Sequence, residues 1–74
     1  MPKLPNISGQ EVVKTFQKDG WVLARQKGSH MVLIKDGSMA TLSVPDHKEV
    51  AKGTLRSLIR ASGLTVEAFL KMTA

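Results

Sequence analysis

Hydrophobic residues recur near the start of the chain at the three- and four-residue spacing that is typical of one helix face. The stripe comprises Val12, Val13 and Phe16. Ser8 stands just before it and Glu11 follows three positions later, the pattern of a capping box at a helix N-terminus. The pattern therefore predicts a first helix that begins after Ser8 and stops at Gly20, where glycine favours a left-handed helix end.

Three runs of strand type follow the first helix. They span residues 21–26, 29–35 and 38–44. Gly28 predicts the turn after the first run, and Asp36-Gly37 is a strong hairpin signal after the second. Pro45 ends the third run because proline cannot donate to a sheet ladder.

Helical spacing returns in the last third of the chain. After a polar loop over 46–52, a second helix is predicted to open near Gly53 and Thr54. Its buried face is marked by Leu55, Leu58 and Ile59. Gly63 ends this helix, and Thr65 caps a short third one. The order αβββαα predicts an α+β fold, a three-stranded antiparallel sheet with the helices on one face.

The hairpin signals also predict which residues share a face of the sheet. With Asp36-Gly37 as a two-residue loop, Met31 pairs with Leu42 and Leu33 with Ala40, an apolar face that meets the helices. The opposite, open face is more mixed. It carries His30, Val32, Ile34, Met39, Thr41 and Ser43.

The register of the first strand is open at this stage. A two-residue loop at Lys27-Gly28 places Arg25 opposite His30 on the open face, but it also leaves Trp21 and Leu23 there. A three-residue turn would reverse the first strand and bury both of them, since a one-residue slip moves every side chain to the other face.

Composition narrows the possible functions. The 74 residues are expected to form a single domain, 1–74, and the absence of cysteine excludes disulfides, thiolate catalysis and cysteine zinc sites. The N-terminus lacks a signal-peptide core, and no apolar run approaches the ~20 residues of a membrane helix, so we expect a cytoplasmic protein. The net charge of +5 favours an anionic partner, most commonly nucleic acid.

The segment from Arg25 to His30 holds most of the candidate chemistry, because it combines two cations, a flexible turn, a hydroxyl and an imidazole. RNA cleavage without a metal needs a base for the ribose 2′-OH and cations for the phosphorane charge. Histidine suits the proton transfer, so His30 is the candidate base, with Arg25 and Lys27 supplying charge. The alternative is an ordinary surface histidine that follows a tight turn.

A second candidate region lies at the start of the second helix. Free N–H groups at a helix N-terminus suit a phosphate. Lys52, Gly53, Thr54 and Arg56 would form this site, although plain helix capping explains the same residues. His47 is interpreted as a loop residue near the substrate path. The spacing of the acidic residues and histidines has no metal-site pattern, so no metal or cofactor is expected.

Several short motifs together resemble a known family. In chain order they are Gly20-Trp21, Arg25 to His30, Val44-Pro45, His47, Lys52 to Ile59 and Gly63-Leu64. Each motif is weak alone, but their order and spacing over nearly the whole chain resemble the HicA family of messenger-RNA interferase toxins.

The resemblance implies a fold like that of a double-stranded-RNA-binding domain and endonucleolytic cleavage of messenger RNA. The family's glycine-serine-histidine motif falls on Gly28, Ser29 and His30, with His30 as the catalytic histidine. The family's lysine-glycine-threonine-leucine helix start falls on residues 52–55. A HicB-type antitoxin is the implied partner. Family members often carry a second histidine after the catalytic one, whereas this chain has Met31.

Two other functions remain as alternatives. The same fold could bind structured RNA without chemistry, or it could be an inactive subunit that only binds an antitoxin. Val32, Ile34 and Met39 on the open face would be the docking surface in the latter case, and we expect the same surface to bind the antitoxin in an active enzyme.

Overall fold

The predicted element order is confirmed by a computed structural model, which describes residues 3–73. The elements are α1 (Gly9–Lys18), β1 (Val22–Lys27), β2 (His30–Ile34), β3 (Leu42–Pro45), α2 (Lys52–Ser62) and α3 (Val66–Met72). The three strands form one antiparallel sheet in the order β1-β2-β3, and the core lies between one face of this sheet and the helices. The α+β class is therefore confirmed. No helix within 3–73 is long and apolar enough to cross a membrane.

Both ends of α1 are fixed by the residues that the sequence pattern singled out. The Ser8 hydroxyl accepts a hydrogen bond from the Glu11 amide at 3.2 Å. At the other end, the Gly20 amide donates to the Gln17 carbonyl and the Trp21 amide to the Phe16 carbonyl, each at 3.1 Å, which is a Schellman motif. The chain therefore turns sharply, and the Trp21 ring packs edge-on against Phe16.

The first hairpin turns one residue later than expected. Its two loop residues are Gly28 and Ser29, so Lys27 pairs with His30 and Arg25 pairs with Val32. The prediction that Arg25 lies opposite His30 was therefore wrong. The two side chains share the open face, but Lys27 is the direct neighbour of His30.

A β-bulge resolves the open question about the first strand. Leu23 pairs with Leu33 and Arg25 with the adjacent Val32, so Ala24 is an extra residue in β1. The bulge allows Arg25 to lie on the open face while Trp21, only 2% exposed, reaches the core. The two-residue loop considered from the sequence had the right length but the wrong position, and neither expected register allowed for a break in the alternation along β1.

The second hairpin has the predicted faces but a different register. Leu33 pairs with Leu42 and Met31 with Val44, two positions from the expected pairs. Asp36-Gly37 does form a turn, but only Gly37 has a positive φ, whereas the tight type I′ hairpin requires two such residues. The loop is consequently longer, and Met39 and Thr41 lie in it rather than on β3. A two-residue shift preserves the faces, so the apolar face is confirmed.

The loop before α2 is held against the N-terminal segment by backbone hydrogen bonds. The Gly9 amide donates to the His47 carbonyl at 2.9 Å, and the Val50 amide donates to the Ile7 carbonyl at 2.8 Å. Ile7 and Leu4 are both buried in the core. These two hydrogen bonds hold the loop in place, and so they fix where α2 begins relative to the end of β3.

Candidate active site

His30 lies at an exposed end of the sheet, directly after the β1–β2 turn. Gly28 has φ 59° and occupies the first loop position, where a tight hairpin turn requires a positive φ. His30 then opens β2 and has Lys27 opposite it on one side and Pro45 on the other. The imidazole and the Lys27 ammonium group therefore project from the same open face, and both residues are exposed.

Hydrogen bonds join this turn to the end of β3. The Asp46 amide donates to the Ser29 carbonyl at 2.6 Å. The Gln26 side-chain amide donates to the Asp46 carboxylate at 3.4 Å and to the Gly28 carbonyl at 3.5 Å. Neither Gln26 nor Asp46 can be assigned this role from the sequence, because their contact depends on a strand register that composition and spacing do not reveal.

His47 lies just beyond this link, in the loop between β3 and α2. Its side chain is exposed and lines a shallow groove of about 230 Å³ together with Ser8, Gln10, Asp46 and Lys48. His30 is not among the residues that line this groove. The structure thus places the two histidines on neighbouring segments without joining them in one cavity. Within residues 3–73, no cluster of three metal-ligating side chains is present.

The N-terminus of α2 has no side-chain cap. The helix begins at Lys52, one residue before the predicted start, and its N-cap residue is Ala51, which offers no hydrogen-bonding side chain. Lys52, Gly53 and Thr54 are all exposed, and the first turn contains no acidic residue. Thr54 therefore does not cap the helix, and no side chain within 3–73 accepts a hydrogen bond from the first N–H groups of α2.

The cations around the candidate site are available to an anion. No acidic side chain within 3–73 lies at ion-pair distance from Arg25, Lys27, Lys52 or Arg56. The hydrogen-bonded ion pair of Lys35 and Asp19 lies at the opposite end of β2. The positive charge of Arg25 and Lys27 near the turn, and of Lys52 and Arg56 on α2, is therefore not neutralised by an ion pair within 3–73.

Beyond the Arg25–Val32 pair, the open face of the sheet exposes large apolar side chains. Ile34 is 48% exposed and pairs with Val22, which is 59% exposed, while Val32 is half-buried. Met39 is fully exposed in the loop between β2 and β3. Paired apolar side chains as exposed as Val22 and Ile34 are typical of a protein-binding surface.

Comparisons with known proteins agree with this architecture. The family model for the HicA toxin of bacterial toxin–antitoxin systems matches residues 9–64 of the chain. A solved structure described as a toxin–antitoxin complex from Streptococcus pneumoniae is 32% identical, with a TM-score of 0.70. The match covers 78% of this chain and 98% of that one. No significant match was found among curated proteins. The matched residues include both hairpins and all of α2, and the chain belongs to the HicA toxin family.

Proposed function

We propose that this toxin is a metal-independent endoribonuclease that cleaves messenger RNA, with His30 as the general base. The observation that carries the proposal is the pairing of Lys27 with His30 on the open face of the sheet. An exposed imidazole directly beside an unpaired cation provides a proton acceptor and a positive charge at one place. A domain that only bound RNA would have no need for an imidazole there.

The proposed reaction needs only proton transfer and charge stabilisation. His30 removes the proton of a ribose 2′-OH, and the 2′-oxygen attacks the adjacent phosphorus. The bond from phosphorus to the 5′-oxygen breaks, which leaves a 2′,3′-cyclic phosphate and, after protonation of the leaving oxygen, a 5′-hydroxyl. Lys27 stabilises the charge of the phosphorane, and Arg25, one pair further along the same face, holds a neighbouring phosphate.

The remaining candidate residues bind the substrate in this proposal. The turn at Gly28 and Ser29 lets the RNA backbone approach His30. The uncapped start of α2, with Lys52, Gly53 and Thr54, receives a phosphate, since free N–H groups and positive charge favour an anion there. The other two proposed contacts are Arg56, one turn further along α2, and His47 in the preceding loop.

A HicB-type antitoxin is the proposed protein partner. Support comes from the family assignment and from the similar solved structure, which is described as a toxin–antitoxin complex. The exposed residues Val22 and Ile34 form the pair next to Arg25 and Val32 on the open face, and exposed Met39 lies in the following loop. A partner that covered them and extended over the Arg25–Val32 pair would also block access to His30.

The test is cleavage of a labelled messenger RNA by purified, antitoxin-free protein in excess EDTA, with analysis of the fragment ends. We expect the wild-type protein to leave 2′,3′-cyclic phosphates and His30→Ala to be inactive. Circular dichroism should show an unchanged fold, because His30 is exposed. Cleavage by His30→Ala would refute the proposal that His30 is the general base. No cleavage by folded wild-type protein would favour the non-catalytic RNA-binding or antitoxin-binding alternatives.

A further inference from the structure

Helix α2 presents a row of three basic side chains along one side. Lys52, Arg56 and Arg60 are spaced four residues apart, so they lie on the same side of the helix, and all three are exposed. Eight residues of helix place the two ends of the row about 12 Å apart. We refer to these three residues as the α2 ridge.

The far half of the ridge borders a groove between α2 and α3. Arg56 and Arg60 flank this groove, whose volume is about 270 Å³. Its other lining residues are all apolar. They are Ile59, Leu64 and Val66. The groove thus combines an aliphatic floor, which offers apolar contact, with two guanidinium groups, which offer charge and a planar surface for a base.

The charge on α2 differs from that on the other two helices. α1 has an acidic residue in its first turn and a basic one in its last, and α3 has the same arrangement. α2 has three basic residues and no acidic one. No acidic group within 3–73 pairs with Arg56 or Arg60. Like charges four residues apart destabilise a helix, so a polyanion that neutralises the ridge is the occupant whose charge fits it.

We propose that the α2 ridge and its groove bind single-stranded RNA that continues from the proposed phosphate site at the start of α2. The ridge contacts successive backbone phosphates, and Arg60 with the apolar floor receives a base. This inference rests on the proposed function, because it extends the substrate site from the start of α2 to its last turn. At roughly 3.4 Å per phosphate in a stacked strand, the ridge spans about three to four nucleotides.

The experiment measures binding and not cleavage, in full-length protein that carries His30→Ala. Fluorescence anisotropy of a labelled 12-nucleotide oligouridylate gives the Kd at several KCl concentrations. Arg60→Gln and the double variant Arg56→Gln/Arg60→Gln are compared with Lys14→Gln. The control removes the same charge from an exposed position on α1. Glutamine and arginine have similar helix propensities, and thermal unfolding verifies that each variant is folded.

We expect Arg60→Gln to weaken binding by about three- to tenfold. Its plot of log affinity against log salt should become shallower by about 0.7, and that of the double variant by about 1.4. Arg60→Lys should restore the salt dependence because the charge is retained, but only part of the affinity if the guanidinium plane stacks on a base. Lys14→Gln should leave both quantities close to those of the His30→Ala protein.

The proposal is wrong if the Arg60 variants bind the RNA as tightly as the Lys14→Gln control and with the same salt dependence. An acidic protein segment would then be the better candidate occupant of the ridge. The result is independent of the cleavage assay, since every protein in the binding experiment lacks His30. Weaker binding by the Arg60 variants, together with no cleavage by the wild-type protein, would support the ridge and refute only the proposed chemistry.

Discussion

At the scale of single residues, Gly9 determines how closely α1 approaches the candidate active site. A Cβ atom at this position would overlap the Pro45 carbonyl oxygen and would lie 3.1 Å from the Asp46 Cα. The Gly9 amide also donates to the His47 carbonyl. Because Pro45 is the neighbour of His30 in the sheet, the missing side chain allows the helix to support the strand that carries the site.

Gly9→Ala is therefore expected to lower the free energy of unfolding by about 1–3 kcal/mol, since backbone atoms must move to accommodate the methyl group. Urea unfolding followed by the fluorescence of the single tryptophan, Trp21, measures the change. Gly53→Ala is the matched control, because a Cβ there meets no atom within 4 Å. Equal stability of the two variants would contradict the close approach of α1 to Pro45.

Lys27 is the residue whose predicted importance changes with the observed register. Its position opposite His30 predicts that Lys27→Ala slows single-turnover cleavage by at least about tenfold, since removing a group that stabilises transition-state charge has a large effect. Arg25→Ala should slow cleavage less, and Lys14→Ala should have no effect. A Lys27→Ala rate equal to that of Lys14→Ala would exclude Lys27 from charge stabilisation.

The candidate base could be proposed from the sequence, whereas its supporting contacts could not. His30 stands out because cations, a glycine and a hydroxyl precede it within five residues. The bonds of Gln26 and Asp46 join segments 20 residues apart. They exist only because the turn falls at Gly28-Ser29, one position from the expected loop. Local patterns identify reactive groups, but register determines which groups meet.

At the scale of elements, helix bounds followed closely from capping residues, and strand pairing did not. Ser8, Thr65 and Gly63 cap their helices as predicted, because a cap depends on atoms within four residues. The strand register depends on the bulge at Ala24 and on the φ of Asp36. Neither can be inferred from the alternation of apolar and polar residues.

The missing cap of α2 leads to a prediction in which stability and activity change in opposite directions. Ala51→Asp should stabilise the fold by about 0.5–2 kcal/mol by accepting a free N–H group. It should also weaken RNA cleavage, because the carboxylate occupies and neutralises the proposed phosphate site. Ala51→Asn supplies a similar cap without charge and should retain more activity. If both variants cleave RNA equally well, the start of α2 does not bind a phosphate.

At the scale of the whole molecule, the core extends beyond the part of the chain that matches the family. Residues 9–64 match the family model, yet Leu4, Ile7 and Phe69 lie outside this range and are buried in the same core. The Phe69 ring is fully buried and lies 5.2 Å from that of Phe16. Both flanking segments thus contribute side chains to the core and do not merely extend from it.

α3 is accordingly expected to be necessary for folding, and Phe69→Ala tests this at one position. Removing a fully buried ring typically costs about 3–5 kcal/mol, a large share of the roughly 4–11 kcal/mol expected for a chain of this length. Urea unfolding followed by Trp21 fluorescence measures the loss. Lys71→Ala, on the exposed side of the same helix, should change the stability by less than about 0.5 kcal/mol. A similarly small effect of Phe69→Ala would mean that α3 is peripheral, and that the core of this toxin is complete without it.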